Sequence, residues 1–186
     1  MKSVLSPKVR LSFALTVVLA MWAATSAALP KPGAVRPAVK LVDGWDRELD
    51  LARLGKPLLA IYEDKDDGFT NQQVKDDLTA LEAAIAYRRS VAQIYVIDLT
   101  PWNYWPARGL AKNELQKWSN KVGVTMYVDF TGAAAQAFAF TKALSNVVLY
   151  DKDGKLLFAF AGPLPEPKRR ELVSLVRSQV PTAAAP

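Results

Sequence analysis

The stretch Ser145–Gly162, SNVVLYDKDGKLLFAFAG, constrains this chain more than any other. Val147–Tyr150 and Lys155–Phe160 are apolar, β-prone runs, and Asp153-Gly154 between them is a hairpin signal. Asp and Gly tolerate the positive φ that a two-residue turn demands, so the two runs read as antiparallel neighbours. A helix follows from about Glu166 to Val180, with Pro167 suited to its first turn and Pro181 stopping it. Strand, turn, strand and helix therefore close the chain.

With 186 residues, 51% of them hydrophobic, the chain holds one globular domain with a real core, plus extras. It contains neither Cys nor His. Without Cys there are no disulfides, thiolate nucleophiles or thiolate metal sites. Without His the usual general base near neutral pH and the commonest metal ligand are gone. Catalysis would fall to Asp, Glu, Lys, Tyr, Ser or Thr, which weighs against an enzyme.

Residues 1–27 read as a secretory signal peptide, with Lys2, Lys8 and Arg10 as its basic region. Leu11–Ala24 is its apolar run, short for a membrane span, and Thr25-Ser26-Ala27-Ala28 offers small residues for cleavage. An uncleaved N-terminal anchor is the alternative, and it would be the chain's one membrane attachment. Removing those three cations from 24 leaves 21 against 18 acidic residues, or +3, which makes no case for nucleic-acid binding. Residues 28–42, with Pro30, Pro32 and Pro37, read as an extended or disordered linker, 43–181 as the folded domain, and 182–186 as a disordered tail.

Within the domain, Asp43 or Gly44 is expected to open a short helix through Trp45, Leu49, Leu51 and Leu54, ended by Gly55-Lys56-Pro57. Leu58–Tyr62 reads as a buried parallel strand. Thr70 and Gln73 fit a capping box, and Val74, Leu78, Leu81 and Ile85 form one apolar helical stripe. Ala92–Leu99 reads as a second strand, TPWNYWPARG as a loop, and a helix runs through Leu110, Leu115 and Trp118. Val122–Phe130 reads as a third strand, and Ala133–Phe138 as a short helix capped by Thr131.

This order is β-α-β-α, an inserted βα unit, then ββα. It resembles the thioredoxin-like superfamily, and more closely its TlpA and peroxiredoxin branch, which carries the extra βα. The runs WSNKVGVTMYVDF and SNVVLYDKDG are most similar to the YtfJ family, small exported proteins with a Cys-less site. The resemblance covers roughly Trp45 to Val180 and implies an α/β fold with a central mixed sheet, the βα insertion and flanking helices. It also implies a Gram-negative host, hence a periplasmic location. Redox members of the superfamily carry Cys-x-x-Cys between the first strand and the next helix, where this chain has Asp64–Gln73 without sulfur. They carry a cis-proline just before the first hairpin strand, where this chain has Ser145. The 144–145 bond is then expected to be trans. Disulfide exchange and thiol peroxidation are excluded by the absence of sulfur.

Three sets of residues remain as candidates. Trp102, Tyr104 and Trp105 lie in a Pro-bounded loop beyond the carboxyl end of a parallel strand, where open α/β sheets usually bind ligands. With Thr70 and Ser145 they are expected to surround one shallow groove for a peptide or protein of the envelope, or else to fold inward as packing. Glu63, Asp64, Asp66 and Asp67 are weak candidates for a hard-cation site and for a metal-dependent hydrolase, against a solvated acidic turn. Asp151 and Asp153 read as part of the hairpin turn, and Lys168, Arg169 and Arg170 as a solvated helix face. No cofactor is expected. Gene regulation, a label attached to the YtfJ family, conflicts with the export signal, and no nucleic-acid partner is expected.

Overall fold

The computed structural model describes residues 29–66, 68, 70–82 and 85–181. The segment read as a signal peptide, Asp67 and the tail 182–186 lie outside the described residues, as does the side chain of Ile85. The elements are β1 (Lys40–Asp43), β2 (Glu48–Asp50), β3 (Leu58–Asp64), α1 (Gln72–Glu82), α2 (Ile85–Ser90) and β4 (Ala92–Asp98). They continue with α3 (Ala107–Val122), β5 (Met126–Asp129), α4 (Ala133–Ala137), β6 (Asn146–Tyr150), β7 (Leu156–Ala161) and α5 (Glu166–Ser178). The strands form one mixed sheet in the order β2-β1-β5-β4-β3-β6-β7. β3, β4 and β5 run parallel, while β1, β6 and β7 pair antiparallel with their neighbours.

Strand β3 is the axis of the sheet. Leu58 to Glu63 are buried without interruption, as a central strand covered on both faces requires. Leu59 and Ile61 point to one face, with Val147 and Leu149, under Val74 and Leu78 of α1 and Leu172 and Val176 of α5. Leu58, Ala60 and Tyr62 point to the other, with Val148 and Tyr150, under Ala134 of α4, Phe138 at its end, and Leu41 and Leu51. Phe138 and Phe140 stack there at 4.9 Å. Among the described residues no helix is long and apolar enough to cross a membrane.

The expected helix over 43–54 is instead the hairpin β1–β2, followed by a 3-10 turn at Leu51–Arg53. The reason is Asp43, whose Oδ1 accepts the N–H groups of Trp45 (2.8 Å) and Arg47 (2.9 Å), while Arg47 Nε donates to Oδ2 (2.6 Å). A carboxylate that captures backbone donors two and four residues on offers the chain a turn in place of a helix. Burial would raise the Asp43 pKa, but the hydrogen bonds from Arg47 and Trp45 outweigh it and hold the carboxyl below its ordinary value. Its contribution is therefore complete above the unfolded-state value near ~3.9 and is lost as pH falls through the lower folded value. Asp43→Asn is expected to cost roughly 1–2 kcal/mol at neutral pH. That difference should shrink towards zero in urea titrations carried down to strongly acid pH.

The segment read as a linker also takes part in the fold. β1 starts at Lys40, and the backbone of Gly33–Arg36 bonds the β6–β7 hairpin through Leu156 and Gly154. Val122 ends α3 instead of opening a strand, because Gly123 at φ +71 closes the helix, so β5 begins at Met126. The hairpin loop has three residues, not two. Gly154 N–H donates to the Asp151 carbonyl, and Gly154 takes φ +79 before Lys155 pairs back, a type I turn with a glycine bulge. The helix expected through Leu110, Leu115 and Trp118 is α3; its inward positions are Ala107, Leu115 and Ser119, and Leu110 and Trp118 face solvent.

Candidate functional site

Period-two alternation along β3 places Glu63 on the same face as Leu59 and Ile61, pointing under α1. Glu63 is only 2% exposed, so it does not belong to a solvated acidic turn. Lys75, one residue beyond Val74 at the edge of the α1 stripe, donates from Nζ to Glu63 Oε2 at 2.6 Å and to the Gly68 carbonyl at 2.6 Å. Ser145 Oγ donates to Glu63 Oε1 at 3.0 Å. Asn71, the residue before α1, donates from Nδ2 to Ser145 Oγ (2.8 Å) and to the Gly162 carbonyl (3.1 Å), and its Oδ1 accepts the Leu164 N–H (2.9 Å). This network ties β3, the entry of α1, the residue before β6 and the chain leaving β7.

Two expectations change here. Ser145 has 0% exposure, so its hydroxyl cannot line a groove or meet a partner. Helix α1 starts at Gln72, after Asn71, rather than at Thr70, which is half-buried. The Leu144–Ser145 bond is trans; the cis bond among the described residues is Trp105–Pro106.

The described acidic residues do not assemble into a cation cage. Asp64, Asp98 and Asp129 stand in register at the carboxyl ends of β3, β4 and β5. Each turns its chain: Asp64 Oδ1 accepts the Asp66 N–H (2.7 Å), Asp98 Oδ1 the Thr100 N–H (2.9 Å), and Asp129 Oδ2 the Ala135 N–H (3.0 Å). Burial, followed by the charges of Asp129 and Asp98, pushes the Tyr62 phenol well above its ordinary value. Among the described residues no group of three or more acidic side chains is placed to hold a metal ion. Asp151 Oδ1 accepts the N–H groups of Asp153 and Lys155, as a turn needs. Lys168 and Arg170 pair with Glu171 and Glu166 within α5, and Arg169 pairs with Asp77 of α1.

The aromatic loop is on the surface. Trp102 is 37% exposed, Tyr104 58% and Trp105 91%. A 3-10 turn at Thr100–Trp102 lifts the loop off β4, and the Tyr104 carbonyl then accepts the Arg108 N–H at the start of α3. Lys65 Nζ, from the turn after β3, lies 6.0 Å from the centre of the Trp102 ring. The structure thus brings together the Asp64–Asp66 turn and the aromatic loop, while Ser145 is buried against Glu63 and Asn71. Sequence reasoning missed Lys75 and Asn71; the alternation that turns Glu63 inward was the available signal, since a buried carboxylate demands a partner.

Among solved structures, a Chlorobium tepidum protein described as a DsbE thiol:disulfide interchange protein superposes with a TM-score of 0.62 at 14% identity, over 83% of this chain and 100% of that one. The thioredoxin domain of a Bacteroides vulgatus thiol-disulfide oxidoreductase gives 0.55 at 15%, over 82% and 99%. The fold is thioredoxin-like. A third thioredoxin-like neighbour, the exposed lipoprotein thioredoxin of Streptococcus pneumoniae, gives 0.53 at 14%, over 75% and 98%. No protein-family model matches the chain, and no curated protein matches it by sequence. The sequence holds no cysteine, so the thiol chemistry named for these neighbours has no nucleophile here.

Proposed function

We propose that this chain is an exported, non-redox binding module of the cell envelope, related to the YtfJ family, which receives a peptide or protein partner on the loop of Trp102, Tyr104 and Trp105. The observation that carries this reading is the exposure of that loop: two tryptophans and a tyrosine stand in solvent beyond the carboxyl ends of the parallel strands. Aromatic side chains of this kind dominate interface energetics. Two further observations support it. The positions of the dithiol and the cis-proline hold a closed hydrogen-bond network with no reactive group open to solvent at Ser145. One fold neighbour is itself an exposed lipoprotein, in keeping with an extracytoplasmic site of action.

Affinity capture from an envelope extract tests the reading, using the domain beside a Trp102→Ala, Trp105→Ala variant whose fold is checked by circular dichroism. A protein held by the wild type and lost by the folded variant is the expected result. Capture that the variant retains in full would remove the loop from the site.

A further inference from the structure

Arg108 stands where the aromatic loop ends and α3 begins, and it borders a cavity of about 220 Å³ on the other side of that turn. The walls of the cavity are Leu41 of β1 with Val128 and Phe130 at the end of β5, and its cations are Lys40, Arg108 and Lys112. Lys112 pairs with Asp46, also at the wall, and Lys40 with Glu48 outside it. These are weak, partly exposed pairs, which an incoming anion can rearrange. The second carboxylate at the wall, Asp129, is already committed to the Thr131 and Ala135 N–H groups. Arg108 differs from the two lysines. Its contacts are the Phe130 ring, 4.7 Å from the guanidinium carbon, and a long 3.4 Å bond to Asn103, and among the described residues it pairs with no carboxylate.

A guanidinium close to an aromatic ring, at the wall of a cavity with both apolar and charged side chains, can present its forked donors to a carboxylate while the cavity takes an apolar group beside it. The volume lies below the ~300–1,000 Å³ of pockets that enclose drug-sized ligands, so it suits one residue. We infer that this cavity receives the C-terminal residue of a peptide, with the terminal carboxylate on Arg108 and its apolar side chain against Val128 and Phe130. The inference rests on the peptide-binding reading above and names the chemistry by which the peptide is anchored. The aromatic loop, joined to Arg108 through the Tyr104 carbonyl, would then carry the residues that precede the terminus.

The probe is N-acetyl-phenylalanine, titrated by ¹⁵N–¹H correlation spectra against N-acetyl-phenylalanine amide, which has the same apolar group without the charge. The acid is expected to shift the amides of Val128–Ala134 and the Nε–H of Arg108, and to bind at least tenfold more tightly than the amide. Arg108→Gln should abolish that preference, and Arg108→Lys should keep part of it, since a lysine holds the charge without the fork. Equal binding of acid and amide, or undiminished binding of the acid by Arg108→Gln, overturns the inference. So does the absence of any shift at millimolar acid, even if the aromatic loop still captures its partner. The reverse pattern, acid binding intact with no loop-dependent capture, overturns the function proposed above and leaves the carboxylate site standing.

Discussion

Lys75→Met is expected to destabilise the domain by about 3–5 kcal/mol, the largest effect of any substitution at the candidate site. Glu63 is 2% exposed and the Lys75 side chain 17%, so the variant strands a buried carboxylate with Ser145 as its remaining side-chain donor. The loss is a large share of the ~5–15 kcal/mol that holds a typical domain together. The companion variant Glu63→Gln, Lys75→Met separates the pair from general damage. An amide at 63 still accepts from Ser145 Oγ and needs no cation, so the double variant should recover most of the loss. Urea unfolding of the wild type, both single variants and the double variant closes the cycle. A coupling near zero would mean that the Glu63–Lys75 contact does not support the fold.

Asn71→Ala is expected to cost about 2–4 kcal/mol, because one deletion removes three hydrogen bonds to buried groups. The Leu164 N–H loses its acceptor, and the Gly162 carbonyl and Ser145 lose a donor. The damage should be local to the exit of β7, so the Leu164 amide should exchange with deuterium much faster in the variant at equal global stability. Asn71→Asp is the sharper control. It keeps the acceptor for Leu164 but removes both donors and brings a second carboxylate towards Glu63, so it should be at least as destabilising as alanine. An Asn71→Ala domain with wild-type stability and unchanged exchange at Leu164 would contradict this role.

The periodic elements of the chain were legible from its sequence: the apolar run of β3, the hairpin of β6 and β7, the stripe of α1 and the proline-bounded α5. The thioredoxin-like fold follows from their order, and the neighbouring structures bear it out. Where a side chain competes with the backbone, the pattern misleads. Asp43 looks like a helix start and is the centre of a hairpin turn, since its carboxylate takes the donors that a helix would use. Helix α3 packs through Ala107, Leu115 and Ser119, of which Leu115 alone is large and apolar, while Leu110 and Trp118 face solvent.

The site shows the same limit. Glu63 sits in a run of acids, EDKDD, whose composition says turn, whereas the alternation of β3 continues through it and buries it. Its partners come from 12 residues away in Lys75 and 82 away in Ser145, contacts that no local pattern encodes. The sequence position of Ser145 carries no sign of its burial, and at 0% exposure the residue cannot line the groove expected of it. The aromatic loop was legible as a candidate because Pro101 and Pro106 bound it, and its exposure is what the three-dimensional arrangement adds.

The central claim is that the chain works by binding at the aromatic loop. Its most direct test is site-specific photo-crosslinking in the envelope. A photoreactive phenylalanine analogue replaces Trp105, which is 91% exposed, or, as a control, Lys152, exposed on the hairpin loop. The account predicts a discrete crosslinked adduct from position 105 and none from position 152. Adducts of the same kind from both positions, or from position 152 alone, would contradict it.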